Sequence, residues 1–527
     1  MARGGRDTGV DADGGVGAML KRNVLANFAG GIWTACLTLL VTPIQIHLLG
    51  IEAYGVIGFI ATLQIVVGVL DLGLSSTLTR EIAADHSAGW GGSQTLLRTA
   101  TSVYWSFAAL IGVGLYLSSG ALARRWFNPG TFDLTTLTQA VEAAAIYLAL
   151  RWPIALYTGV LAGTQRMDVL NVIKVASVSA RLLGGIVVLL IWRDLIAFLA
   201  WTVVSAMLEV VLYVFTAHRV MPSLRWRPGF SVAAVRAVAG FSSQLGLISI
   251  LGVGLSQVDR LMISKMLPLD QLGYYSLAYT AATAISLVIS SLSAALMPSF
   301  AASHGAGARD ALIARYRSAN EIMLYVTGLV LFSLAFFGRP LLSLWVSAPA
   351  AAQAWLPLAM LACGFWLSAA VSNPYTLCIA SRKAHGPLII TIVTGTFYVP
   401  LMYWAILRWG IVGAAFAWVV LNVSYVATYI PYVHRSLVRI PVWPWFSRLL
   451  FPFAALGVAT FGAARLLLFV AAPTAGAWAA VVALALAAAT YTAVGYLLLD
   501  PSVRRMLRQM LEGEIRLVGG DPANRVS

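Results

Sequence analysis

Apolar runs of about twenty residues, the length that crosses a bilayer as a helix, follow one another along this chain with only short polar turns between them. The pattern predicts fourteen membrane-spanning helices and no strands. The first six lie near 24–46, 55–76, 99–121, 139–161, 172–192 and 195–216. The next six lie near 240–265, 273–297, 319–345, 353–379, 386–407 and 411–433, and two more near 449–471 and 476–499. Before the first run, Met1 to Ala18 is rich in Gly and Asp and has no apolar period, so it predicts a disordered tail. The run from Val24 to Ile46 is too long for the apolar core of a signal peptide and is followed by no small-residue cleavage site, so it predicts a retained helix.

The pattern also repeats. The stretch His47–His86 and the stretch Lys265–His304 share a single offset of 218 residues without a gap. At that offset Leu49 meets Leu267, Glu52 meets Asp270, Gly55 meets Gly273 and Ser75 meets Ser293. Further on, Trp126 meets Trp345 at offset 219, and Trp201 meets Trp418 at offset 217. An even number of spans in each copy makes both enter the membrane from the same side, a parallel repeat about an axis along the membrane normal. The expected fold is therefore all-α: two six-helix lobes plus two further helices. The expected division is a tail 1–22, a lobe 23–216, a linker 217–239, a second lobe 240–434, a loop with the last two helices 435–499, and a tail 500–527.

Composition narrows the class. Of 527 residues, 60% are hydrophobic and 10% charged, whereas soluble domains carry about 25% charged residues. The net charge of +15 does not point to nucleic acid, because the basic residues sit in short turns between apolar runs. With the N-terminus in the cytoplasm, the cytoplasmic segments hold 25 Lys and Arg and the opposite face 7, a bias that puts both termini inside. Cys36, Cys363 and Cys378 are scattered in apolar runs with neither metal nor disulfide spacing, and are expected as core fillers.

Several strings carry a family likeness. Asn27-x-x-Gly30, Pro43, LLGIEAYG at Leu48–Gly55, LDLGL at Leu70–Leu74 and REIA at Arg80–Ala83 resemble the opening of Wzx-type bacterial polysaccharide and O-antigen flippases. These belong to the polysaccharide transporters of the multidrug/oligosaccharidyl-lipid/polysaccharide superfamily. QVDRLMISKMLPLDQLGYYSLAY at Gln257–Tyr279, with Pro298 beyond it, resembles the same family. The resemblance implies movement of an undecaprenyl-pyrophosphate-linked oligosaccharide from the inner to the outer leaflet by alternating access of the two lobes. It also implies membrane lipids as surroundings, and a polysaccharide polymerase and glycosyltransferases as partners. A peptidoglycan-precursor flippase and a drug or cation antiporter of the same superfamily stay open, as does a membrane polysaccharide polymerase.

The chemistry visible in the residues agrees with transport. There is no phosphate-binding G-x-x-x-x-G-K-[ST] motif, no G-x-S-x-G and no His pair at metal spacing, so neither catalytic residues nor a cofactor or metal are expected. What remains is charge inside the membrane. Arg151 and Arg181 sit near the middle of successive antiparallel spans, Glu209 lies in span 6, Asp71 near the inner end of span 2, and Asp259 with Arg260 near the outer end of span 7. A charge at the bilayer centre costs about 2.5–3.5 kcal/mol on the lenient insertion scale, so each needs a wet cavity or a partner. Arg151 and Arg181 are the candidate substrate-binding pair, since an Arg fork can donate two parallel hydrogen bonds to the pyrophosphate implied by the resemblance. The competing reading is an ion pair with Glu209 that locks the lobe. Glu209, Asp71, Asp259 and Arg260 are candidates for ion coupling or pairing. Reporter fusions after Ala217 and after Asp500 are expected to report cytoplasm; a periplasmic signal at either point overturns the topology.

Overall fold

A computed structural model describes residues 10–71, 73–85, 93–222, 229–305, 308–381, 383, 385–471 and 476–511. The first lobe comprises α1 (Val10–Leu49), α2 (Ile51–Val69), α3 (Leu74–Asp85), α4 (Ser93–Arg125), α5 (Leu134–Arg151), α6 (Ile154–Gly163), α7 (Met167–Trp192) and α8 (Leu195–Val220). The second comprises α9 (Val232–Met266), α10 (Leu269–Ala282), α11 (Ala284–Gly305), α12 (Arg309–Trp345), α13 (Ala348–Ala380) and α14 (His385–Val433). Two short π-helical segments and the single turn α15 (Trp443–Trp445) then lead to α16 (Phe451–Ala471), α17 (Ala477–Leu498) and α18 (Pro501–Leu511).

Twelve helices among the described residues are long and apolar enough to cross a bilayer. One of them, His385–Val438, reverses at Gly410, whose φ of 57° is open to glycine and strained for other residues, and so holds two of the expected spans. Span 7 falls within α9, 35 residues long. The architecture is consistent with fourteen crossings, and it is a multi-pass membrane protein. Side chains such as Leu117 (79% exposed), Phe469 (73%) and Trp478 (76%) project from the bundle, as lipid-facing apolar residues must.

Two expectations change. Residues 10–22 are helical and continue the first span instead of forming a separate tail, because elongating an existing helix costs far less than starting one; residues 1–9 lie outside the described residues. Of the three cysteines only Cys378 is buried, while Cys363 is half-buried and Cys36 exposed on α1. In a bilayer an apolar position need not face a core, and Cys36 is such a position.

Spans 2, 4 and 8 are each two helices. The fourth breaks at Trp152–Pro153, where the proline lacks the N–H that would continue the ladder. The second breaks between Val69 and Leu74, with Gly73 at φ 79°. The eighth, its repeat mate, breaks at Thr283. Interrupted helices free backbone groups inside the membrane and mark the working parts of transporters.

The lobes meet along α2 and α10, and the contact is reciprocal. A Cβ at Gly55 would collide with the carbonyl oxygen of Leu269, and a Cβ at Gly273 with that of Ile51. Gly55 and Gly273 are repeat mates at 218 residues, and so are Ile51 and Leu269. Gly58 faces its own mate Ser276 in the same way. Residue i touching j while the mate of j touches the mate of i is the signature of a twofold axis, here relating two halves of one chain. The matched tryptophans also reach across to the opposite lobe, but their seats differ: Trp126 Nε1 donates to Ser264 Oγ on α9 (3.0 Å), whereas Trp345 Nε1 donates to the Leu39 carbonyl on α1 (2.8 Å), not to Ile46, the repeat mate of Ser264.

These tryptophans lie at the end of the bundle opposite the two termini. There the segment Trp126–Asp133 forms a strap between α4 and α5 and touches the second lobe. Leu269 N–H donates to the Asn128 carbonyl (3.2 Å), Asn128 Nδ2 donates to the Lys265 carbonyl (3.1 Å), and Lys265 Nζ donates to the Arg125 carbonyl. Asp133 closes the strap by capping α5 through the Thr136 N–H (3.2 Å), and hydrogen bonds from Thr136 hold its carboxyl below the usual range. Gly55→Val is expected to overpack this contact at a cost of about 1–3 kcal/mol, read as a lower Tm in detergent. Gly31→Ala, with no atom within 4 Å of the new Cβ, is expected to leave the Tm unchanged or slightly higher.

Candidate functional site

A cavity of about 250 Å³ lies between the lobes, bounded by α1, α2, α5, α7 and α8 on one side and by α9 and α10 on the other. Its walls are mixed. Apolar groups such as Ile57, Leu182 and Phe198 alternate with Thr38, Thr42, Gln45 and Gln64, and two guanidinium groups face in, Arg181 from the first lobe and Arg260 from the second.

Arg181 comes from the middle of α7 and is one-fifth exposed. Its Nη1 lies 3.5 Å from the Tyr147 hydroxyl, which donates to Gln64 Oε1 (2.8 Å). The same nitrogen is 3.8 Å from Glu209 Oε2. Its backbone carbonyl takes the Trp201 Nε1 proton (3.1 Å), and Trp201 seats against Gly184, one turn along α7. Arg151 does not line the cavity. It ends α5 at the Pro153 break, where a helix C-terminus favours a cation, and its Nη1 hydrogen-bonds Glu209 Oε2. The two arginines are thus brought together, but over one buried carboxylate: Glu209, 6% exposed, serves both. An ion pair and a cavity thus lie side by side, with Arg151 in the first and Arg181 shared between the two.

The second-lobe pair has separate fates. Asp259 is 1% exposed; its Oδ2 accepts from the Tyr275 hydroxyl (2.7 Å) and its Oδ1 from the Arg260 N–H (2.7 Å). The Arg260 side chain turns away. Its Nη2 donates to Gln257 Oε1, and its guanidinium carbon stands 3.8 Å above the Tyr279 ring, a cation–π seat. The side-chain contact with Asp259 is 4.0 Å. Asp71 sits at the break between α2 and α3, where it accepts from Ser75 Oγ (2.7 Å) and from the Tyr104 hydroxyl. It caps α3 and stands apart from the inter-lobe cavity.

The sequence reading missed Gln64, Tyr147 and Tyr279. Gln64 is a polar interruption in an apolar run, and Tyr147 stands one helical turn before Arg151, signals too common to single out alone. Among the described residues no group of His, Cys, Asp or Glu is arranged to hold a metal.

Comparison with known proteins decides the family. The family model for polysaccharide biosynthesis proteins matches residues 20–304, more than half of the chain. The chain belongs to the polysaccharide biosynthesis protein family. A Shigella flexneri protein assigned as an O-antigen transporter is 20% identical over 377 residues, covering 70% of this chain and 87% of its own. Among solved structures, the lipid II flippase MurJ in an inward closed conformation superposes with a TM-score of 0.68 at 12% identity, over 92% of this chain and 99% of that one. An inward-facing multidrug resistance MATE family transporter of the MOP superfamily gives 0.65 at 13% identity, over 76% and 94%. At these identities the two structures speak to the fold, and they bear out the two-lobe architecture. The family match bears out the resemblance read from the opening motifs, and with it a transporter rather than an enzyme.

The shared carboxylate makes a specific demand on stability. Breaking a buried pair by removing one partner costs about 3–5 kcal/mol. Arg151→Ala is expected to cost less than that, because Arg181 remains beside Glu209. Glu209→Gln is expected to cost more than Arg151→Ala, since it leaves two cations facing each other. Thermal unfolding of the three purified proteins in one detergent reads the order.

Proposed function

We propose that this protein moves an undecaprenyl-pyrophosphate-linked oligosaccharide from the inner to the outer leaflet of the bacterial cytoplasmic membrane, for cell-surface polysaccharide synthesis. Alternating access of the two lobes is the mechanism, and the termini and the linker between lobes lie on the cytoplasmic side. The observation that carries this reading is the inter-lobe cavity with one arginine from each lobe, Arg181 and Arg260. Family membership supports the substrate class, and the basic bias of the turns supports the orientation.

The geometry gives each charged residue a part. Arg181 and Arg260 meet the anionic head, Arg181 through the planar fork that suits phosphate oxygens. Arg151 is the positioning residue: by engaging Glu209 it leaves Arg181 incompletely neutralised and available to cargo. Asp259 anchors the turn of α9 from which Arg260 projects, with Tyr275 holding the carboxylate. Because the cationic groups come from both lobes, an anion between them is bound across the surface that must rearrange, so lobe motion and cargo binding are coupled. Glycosyltransferase partners would act before this step and a polymerase partner after it.

Arg181→Ala and Arg260→Ala are each expected to lower export of a labelled lipid-linked sugar by about tenfold or more while the protein stays folded in the membrane. Arg181→Lys is expected to restore part, since Lys keeps the charge but loses the fork. Transport in proteoliposomes, with an organic cation as the parallel substrate, tests the reading. Normal export by both alanine variants, or movement of the cation alone, overturns it.

A further inference from the structure

Glu52 is buried at the start of α2 and contributes nothing to the cavity. Its carboxylate is instead saturated by the strap: Oε1 accepts the Gly130 N–H (2.8 Å), and Oε2 accepts the Thr131 N–H (2.8 Å) and the Thr131 hydroxyl. Two consecutive backbone N–H groups aimed at one carboxylate fix the fold of a turn. A Cβ at Gly130 would stand in ordinary contact with Oε2, at 3.4 Å, so the hydrogen bonds and not the glycine shape the turn. Just before that turn, Phe127 packs edge-on against Phe59 of α2, with ring centroids 4.9 Å apart.

The strap is therefore clamped to α2 on both sides of Asn128, and Asn128 reaches the other lobe. Its backbone carbonyl accepts from the Leu269 N–H, its side-chain amide donates to the Lys265 carbonyl, and Trp126 donates to Ser264. The repeat mate of Glu52 does none of this. Asp270 accepts the N–H of its neighbour Gln271 (2.8 Å), and the turn after α12 runs straight into α13, capped by Ser347. In an otherwise twofold interface, this strap is a one-sided addition.

We propose that Glu52 is the positioning residue of a latch at the periplasmic end of the lobe interface. It shapes the strap Trp126–Asp133 so that Asn128 and Trp126 engage Ser264, Lys265 and Leu269, and this engagement keeps the lobes together there until the protein opens outward. The inference rests on the alternating-access reading above but does not depend on the cargo. A glutamine at position 52 keeps the size and loses an acceptor, leaving a strap N–H opposed by an amide N–H. The strap then loosens, and the closed state loses its advantage.

The test is a distance measurement on the full chain in nanodiscs without substrate. Spin labels are placed at Thr135 and Ala348, exposed residues on either side of the same end, after Cys36, Cys363 and Cys378 are replaced by alanine. The unaltered interface is expected to give one dominant short distance. Glu52→Gln is expected to raise the ratio of a longer-distance population by about tenfold. Ser264→Ala, which leaves the strap intact, is expected to shift it the same way but less. Asp270→Asn is expected to leave it unchanged. An unchanged distribution in Glu52→Gln, or an equal shift in Asp270→Asn, overturns the latch. If Glu52→Gln does not fold, an unchanged distribution in Ser264→Ala overturns it. A shift in Glu52→Gln together with no movement of lipid-linked sugar by the parent protein overturns the cargo reading and leaves the latch standing.

Discussion

The close approach of α2 to α10 is the contact on which the rest of the structure depends. Lipid tails are as apolar as leucine, so two helices in a bilayer gain little by burying apolar side chains and associate through close packing instead. Gly55, Gly58 and Gly273 let the two backbones come together, and the reciprocity of the contact sets the twofold axis about which the lobes are arranged. Once that axis exists, Trp126 and Trp345 each reach the first helix-length span of the opposite lobe, though at different heights along it. A cavity then remains beside the contact line, where polar groups from both halves converge.

Charge inside that frame is distributed by a second constraint. A buried carboxylate needs partners, and Glu209 has two guanidinium groups beside it, one close and one at 3.8 Å. The excess cation is what makes the first-lobe wall of the cavity electropositive. Arg260 reaches the cavity by a different route: its side chain is held by Gln257 and the Tyr279 ring, so its own neighbour Asp259 does not neutralise it at short range. Helix breaks accompany these charges. Pro153 ends α5 directly after Arg151, and the turn at Asp71–Gly73 lets Asp71 cap α3. The repeat is thus closest where the lobes pack and loosest where the charges sit.

By itself the sequence determined the class, the span positions and the duplication. Bilayer physics writes these into local pattern: a crossing helix is predominantly apolar along its length, and close packing asks for small residues at matched positions, Gly55 with Gly273 and Gly58 with Ser276. It also singled out Arg151, Arg181, Glu209, Asp259 and Arg260, because charge in an apolar run is rare enough to stand out. Tertiary structure alone decided how those residues pair. Sequence spacing sets the height of a side chain along its span but not which neighbouring helix it faces, so Arg151 and Arg181 looked equivalent although one lines the cavity and the other backs it. The same limit hid Gln64 and Tyr147, which are ordinary residues until a neighbouring helix is brought beside them. Glu52 was visible only as half of a matched acidic pair with Asp270. Its hold on Gly130 and Thr131 joins residues 78 and 79 positions away, a contact made by folding and carried by no local pattern.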